Sequence, residues 1–219
     1  MKRYLLASLA VFALAPAALA APTTLAIDRG HSEVGFNIRH FFTKVHGQFT
    51  DFDGTVIYDP QSLTTSSVQV TIRDSSINTA NERRDPELRG EEFFWVAKYP
   101  VITFKSTKIT PGADAQHFQV AGDLTMRGIT KPVTLNVEFL GMGTITQGPR
   151  SSVQAGFVGT TTINRKDWGI VWNQAVDQGG VAGMMLSDDV DLVLNVAARE
   201  QPKVATATTP TPAATTVKK

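Results

Sequence analysis

Alternation of apolar and polar residues runs through most of this chain, and it limits what the chain can fold into. Val34, Phe36 and Ile38 share one parity, with Glu33, Asn37 and Arg39 on the other. Val68, Val70 and Ile72 repeat the pattern, as do Ile102 and Phe104, then Leu124 and Met126. Val133, Leu135, Val137 and Phe139 follow, then Val153, Ala155 and Phe157, and finally Val190, Leu192, Leu194 and Val196. A period of two is that of a β-strand with one buried face; an amphipathic helix needs a period near 3.6. Turn signals separate the runs: Asp59-Pro60, Pro111-Gly112, Arg127-Gly128, Gly148-Pro149 and Gly179-Gly180. The pattern predicts an all-β domain of eight or more antiparallel strands with hairpin-length connections, either a sandwich or a closed barrel. Phe49 and Phe52 break phase, so either a β-bulge separates them or Phe49 faces outward; Gly47 and Gly54 favour a bend.

The two ends of the chain lack this pattern. Lys2 and Arg3 precede a short apolar run, Leu5 to Ala15, and Ala18-Leu19-Ala20 has the small residues of a cleavage site. Residues 1–20 therefore read as a secretory signal peptide, with no membrane span in the mature chain. From Arg199 onward, Thr, Ala and Pro dominate, so 199–219 reads as a disordered tail. Residues 21–198 remain as one domain. Removing Lys2 and Arg3 leaves 19 bases against 20 acids, a balance that gives no reason to expect nucleic acid as a partner. With no cysteine, disulfides and thiolate chemistry are excluded. An exported, periplasmic protein fits these features, with an extracellular one also compatible and a homodimer left open.

The most charged stretch, "NERRDPELRGEEFF" (81–94), looks like a short helix and not a strand. Asn78 or Thr79 is placed to cap it, and Pro86 argues for two short segments instead of one. Charges of both signs at spacings of three and four, such as Arg84 to Glu87 and Asp85 to Arg89, match a solvated helix face. Arg83, Arg84, Glu87 and Arg89 are expected to be solvated and non-catalytic, and Leu88 and Phe94 to anchor the segment over the end of a barrel.

Other candidate constellations are weak. His40 and His46 flank the turn "FFTKV" and could share a metal, but they read better as polar residues at strand ends. Asp51-Phe52-Asp53-Gly54 lacks the rest of a calcium loop. Asp188, Asp189 and Asp191 look like charged guards on a closing strand. No nucleophile elbow, phosphate loop or dinucleotide fingerprint is present. Trp168, Ile170 and Trp172 share one parity in "KDWGIVW" and suit either core packing or a ligand wall.

Six blocks, in order, carry a resemblance to a known family: "IDRGHSEVGFNIRHF", "VHGQFTDFDGTVIYDP", "NERRDPELRGEEFFWVAKYPVITFKS", "GDLTMRGITKPVTLNVEF", "GFVGTTTINRKDWGIVWN" and "DVDLVLNV". The chain resembles the YceI-like family, bacterial polyisoprenoid-binding proteins with a lipocalin-like barrel. The resemblance implies an extended eight-stranded antiparallel barrel with one or two short helices. It also implies a long isoprenoid or other amphiphile held in the bore, no cofactor beyond that lipid, and no established catalysis. Asp85-Pro86-Glu87-Leu88 and Phe93-Phe94-Trp95-Val96 depart from the common Asp-x-His-Leu and Phe-Phe-Asp-Val of relatives, which weakens any metal or phosphate role for this region.

Parity and resemblance together assign twelve residues to the bore: Val34, Phe36, Ile38, Val70, Phe104, Leu124, Met126, Leu135, Val137, Phe157, Trp172 and Leu192. No catalytic or metal site is assigned. The leading expectation is a carrier or storage protein for an isoprenoid-type lipid; the alternative is a hydrolase or isomerase acting on such a lipid.

Overall fold

The computed structural model describes residues 22–173, 175–178 and 181–201. The expected signal peptide, within residues 1–21, and residues 202–219 of the expected tail lie outside the described residues.

Eight long antiparallel strands close into a barrel, and three of them are broken in the middle. β1 (Thr23–Ile27) and β2 (Glu33–His40) lie end to end along β13 (Leu186–Glu200). β3 (Thr43–Phe49) and β4 (Phe52–Tyr58) form the next line, pairing with β2 and β1 respectively. β5 (Ser67–Arg73) and the short β6 (Ile77–Asn78) form the third, pairing with β4 and β3. The ring continues through β7 (Val101–Pro111), β8 (His117–Met126), β9 (Ile129–Gln147) and β10 (Arg150–Asn164) back to β13. Closure removes the edges that would otherwise template aggregation and settles the choice between barrel and sandwich. β13 runs through Glu200, so Arg199 and Glu200 pair with β1. The small hairpin of β11 (Ala175–Gln178) and β12 (Val181–Met184) stands apart from the ring.

The three breaks sit side by side at 28–32, 50–51 and 74–76 and make one bend in the wall. Arg29 bonds Asp51 at 2.6 Å across it, and the Arg73 N–H donates to the Asp51 carbonyl. The phase problem between Phe49 and Phe52 is resolved here. Two residues separate the strands, and both rings are buried inward. Asp74, at the third break, is fully buried, and neither carboxyl oxygen has a hydrogen-bond partner of good geometry.

Local sequence explains the connections. Arg127 and Gly128 both have positive φ (51° and 72°), the two-residue hairpin geometry whose twist matches the flanking strands β8 and β9. β9 and β10 are longer than their neighbours. Their joined ends project beyond the ring as a two-stranded ribbon carrying the exposed Leu140 and Ile145.

The charged stretch forms a single six-residue helix, α1 (Arg84–Arg89), where two segments were expected. Pro86 falls in the first turn, where its missing N–H would have no intrahelical partner, so it does not break the helix. Neither Asn78 nor Thr79 caps it. Asn81 does, accepting from the N–H groups of Arg83 and Arg84.

Candidate functional site

Alternate side chains of the barrel wall point inward and line a cavity of about 360 Å³. That lies toward the small end of the ~300–1,000 Å³ range typical of small-molecule pockets. Its lining is almost wholly apolar. All twelve residues assigned to the bore from sequence lie on this wall: Val34, Phe36, Ile38, Val70, Phe104, Leu124, Met126, Leu135, Val137, Phe157, Trp172 and Leu192. None of the twelve is solvent exposed.

Two close contacts keep the wall smooth. Gly47 lies opposite Phe36 on the neighbouring strand, and a Cβ on Gly47 would sit 2.3 Å from the Phe36 ring. A Cβ on Gly122 would likewise sit 2.4 Å from the ring of Phe104. Each ring therefore lies flat on a glycine. A side chain at either position would drive the ring away from the wall, into the lumen.

The two ends of the bore are built differently. At the end formed by the last residues of β4 and the first half of β10, four rings pack together. Tyr58 lies 5.0 Å from Phe139 and 5.8 Å from Phe157, and Phe157 lies 5.5 Å from Phe139 and 6.5 Å from Phe118. Spacings of this order are those of offset and edge-on aromatic pairs.

α1 and the turns after it cover the opposite end. The Phe94 ring meets Phe49 edge-on at 5.5 Å, and Phe93 meets Trp172 at 5.3 Å. Leu88, half-buried, lines the cavity from the helix.

Guanidinium groups hold this cap in place. Arg84 donates from Nε to the Thr79 hydroxyl at 2.7 Å and from Nη2 to the Thr79 carbonyl at 3.0 Å. Asp85 accepts from the Thr79 N–H and hydroxyl. Arg89 donates to the carbonyls of Ser75 and Ile77, tying the helix to the bend. This corrects the expected solvated face. Arg83 and Glu87 are exposed, but Arg84 and Arg89 are half-buried and bond backbone or hydroxyl oxygen, not helical neighbours. Backbone carbonyls at the open sheet end need donors, and long guanidinium side chains reach them.

A further guanidinium, not singled out from sequence, braces the same end. Arg165 is only 3% exposed and lines the cavity. It donates to the carbonyls of Ile170 (2.6 Å), Trp172 (2.8 Å) and Ser187 (2.9 Å), and meets Asp188 at 3.3 Å. Burial pulls its pKa below the usual arginine value, with Asp188 pulling the other way. The local fold accounts for this placement. Residues 165–168 form a 3₁₀ turn, capped by Asn164 and ended by Gly169 at φ 74°, which bends the chain back over the barrel mouth. The shared parity of Trp168, Ile170 and Trp172 is therefore not that of a strand. Trp168 is buried, with its indole N–H donating to Leu124; Ile170 and Trp172 line the bore.

The remaining candidates lie outside the bore, with one exception. His46 pairs with Glu33 at 3.2 Å on the outer wall, while His40 lines the cavity near the mouth and stacks edge-on against Phe41. Asp51 and Asp53 pair with Arg29 and Arg73, and Asp191 with Lys44. Among the described residues lining the cavity, Glu87 alone is exposed, which places the mouth of the bore beside α1.

Comparison with known proteins agrees with this architecture. The family model for the YceI-like domain matches residues 25–198. A UPF0312 protein of Vibrio cholerae is 37% identical over 162 residues, covering 74% of this chain and 84% of its own. The crystal structure of the YCEI protein of Campylobacter jejuni superposes with a TM-score of 0.61 at 30% identity, covering 80% of this chain and 96% of that one. A polyisoprenoid binding domain from Saccharophagus degradans shares the fold at 16% identity and a TM-score of 0.55, covering 82% of this chain and 99% of that one. With the family model spanning nearly the whole barrel, this chain belongs to the YceI-like family.

Proposed function

We propose that this protein is an exported, periplasmic binding protein that holds a polyisoprenoid or similar long amphiphile in its bore, for transport or storage. The observation that carries the reading is the cavity itself: almost wholly apolar, and lined by eleven inward-facing strand positions together with Trp172. Support also comes from the Saccharophagus degradans neighbour, described as a polyisoprenoid binding domain.

The energetics suit such a ligand. Each buried CH₂ contributes about 0.8 kcal/mol, so one five-carbon unit contributes roughly 3–4 kcal/mol. A few units outweigh the cost of association and reach micromolar affinity, about 8 kcal/mol. Affinity then grows with chain length, and selectivity follows from the cross-section that Phe36 and Phe104 set against their glycines. Polar groups around the mouth are used mainly to hold the cap, which favours binding over catalysis as the role of the site.

Native mass spectrometry of the protein purified from its own host, followed by solvent extraction, tests the proposal. One isoprenoid lipid per chain is the expected result. A protein that emerges empty, and stays empty after incubation with isoprenoids, refutes it.

A further inference from the structure

The rim of the bore carries exposed apolar side chains that the barrel does not use. Seven large apolar residues are exposed among the described ones. Three lie on the β9–β10 ribbon; the other four, Phe42, Ile129, Val171 and Met184, surround the mouth. Phe42 is 84% exposed in the two-residue turn between β2 and β3, and Val171 is 64% exposed beside Trp172. The Phe41 N–H donates to the Met185 carbonyl, which sets this turn against Met184, and Ile129 reaches the Gly169 turn. We infer that this rim docks on the surface of a lipid bilayer, so that a lipid passes between membrane and bore without crossing water. The inference rests on the lipid-binding reading.

The β2–β3 turn points to a use outside the fold. His40 pairs with Thr43, so Phe41 and Phe42 form the whole loop, where glycine or asparagine is the usual choice. Phe41 has φ 51°, a left-handed conformation that is costly for a bulky residue, and the exposed Phe42 gains no burial to offset it. A bilayer suits this rim better than a protein partner does. The four side chains stand on separate loops among charges: Arg39 and Lys44 flank Phe42, and Arg127 and Lys131 flank Ile129. The centre of a protein interface is depleted in charge. At a membrane surface, apolar tips enter while long basic side chains stay at the head-group level. Lys44 and Lys166 are paired with Asp191 and Asp188, so apolar insertion drives the contact, not attraction to anionic lipid. The bore itself supplies the partner. Trp172 and Leu186, close in sequence to Val171 and Met184, line the cavity, so apolar surface runs from the rim into the bore. Moving each CH₂ of a long isoprenoid from a bilayer into water costs free energy, so the chain passes between the two only where they touch.

The test uses the protein in the form its host exports, delipidated, in a flotation assay with phosphatidylcholine vesicles. The wild type is expected to float with the vesicles in high salt as in low. Phe42→Asn should lower vesicle binding by about tenfold or more, melt no lower than the wild type, and bind geranylgeraniol in solution within about twofold, read by tryptophan fluorescence. Leu140→Asn, on the ribbon at the opposite end, should float as the wild type does. A wild type that binds geranylgeraniol but not vesicles overturns the inference while leaving the lipid-binding reading intact. Undiminished flotation of Phe42→Asn, or an equal loss with Leu140→Asn, overturns it as well. Dimers that Phe42→Asn turns into monomers, with no vesicle binding, would make the rim an interface between copies and overturn it too. A wild type that binds no geranylgeraniol refutes the lipid-binding reading and takes this inference with it.

Discussion

The two ends of the bore solve the same problem with different chemistry. At one, Tyr58, Phe118, Phe139 and Phe157 fill the lumen with rings that need no partner but each other. At the other, Leu88, Phe93 and Phe94 cover the opening, and arginines bonded to backbone carbonyls fix the cover in place. Ring packing is lost only if the barrel opens. A hydrogen-bonded cap resting on half-buried side chains can lift while the sheet stays closed, since regions with few buried apolar contacts open at lower free energy. On the proposed function, the difference makes the α1 end the expected route for a ligand.

A charge placed in the ring cluster gives the largest expected effect. Phe157 is buried on the wall, so Phe157→Asp places an unpaired carboxylate among rings, at a cost of several kcal/mol. Melting temperature and bound lipid should fall together, while Phe157→Leu should retain most of both. If Phe157→Asp melts like the wild type, the ring cluster is not the sealed end described here.

Asp74 gives the next effect and separates the ends by pH. Burial raises its pKa from 3.8 to about 7, with a backbone amide of Ile102 offsetting part of the rise. The folded state therefore favours the protonated acid. That contribution is complete below about pH 4, the unfolded value, and is lost as pH rises through about 7. That rise corresponds to roughly 4 kcal/mol at most. Thermal stability should decline across pH 4–7, and Asp74→Asn should flatten the decline. Because Arg89 ties α1 to Ser75 and Ile77 next door, hydrogen exchange should rise first at the α1 end. Uniform exchange at both ends would break the comparison.

Smaller effects should come from the cap. Leu88→Ala removes a half-buried contact, costs about 1–3 kcal/mol, and should speed lipid release more than it lowers melting. Arg84→Ala should cost about 1–2 kcal/mol by removing the donors to the hydroxyl and carbonyl oxygens of the buried Thr79. Exposed Arg83, changed to Ala, should cost almost nothing. Release rates measured by stopped-flow fluorescence for these three variants should rank in that order; a faster Arg83→Ala than Leu88→Ala would contradict a cap anchored by Leu88.

Much of the barrel was legible because period-two alternation is a local signal that each strand carries by itself. Val34, Phe36 and Ile38 announce their face without reference to the rest of the chain, and so do Leu135 and Val137. The bend was half legible: Phe49 and Phe52 showed that something interrupts the strand, but only the neighbouring breaks show that three strands bend together. The cap was the hardest to read. Arg84 and Arg89 occupy helical spacings that suit ion pairs, yet their partners are carbonyls from 79 and from 75 and 77, which no side-chain pattern encodes. Arg165 was missed for the same reason. Trp168, Ile170 and Trp172 mimicked a strand because a 3₁₀ turn followed by an irregular loop also placed apolar groups at alternate positions.

The central claim, that an apolar chain lies along this bore, is tested most directly by a length series. Uncharged isoprenoid alcohols of about two, three and four five-carbon units are titrated against Trp172 fluorescence. At roughly 3–4 kcal/mol of gross burial per unit, Kd should fall at least tenfold with each added unit until the bore is full, and then level off. Affinity that does not change with chain length would contradict the account, because it would place the lipid on the surface and not inside the barrel.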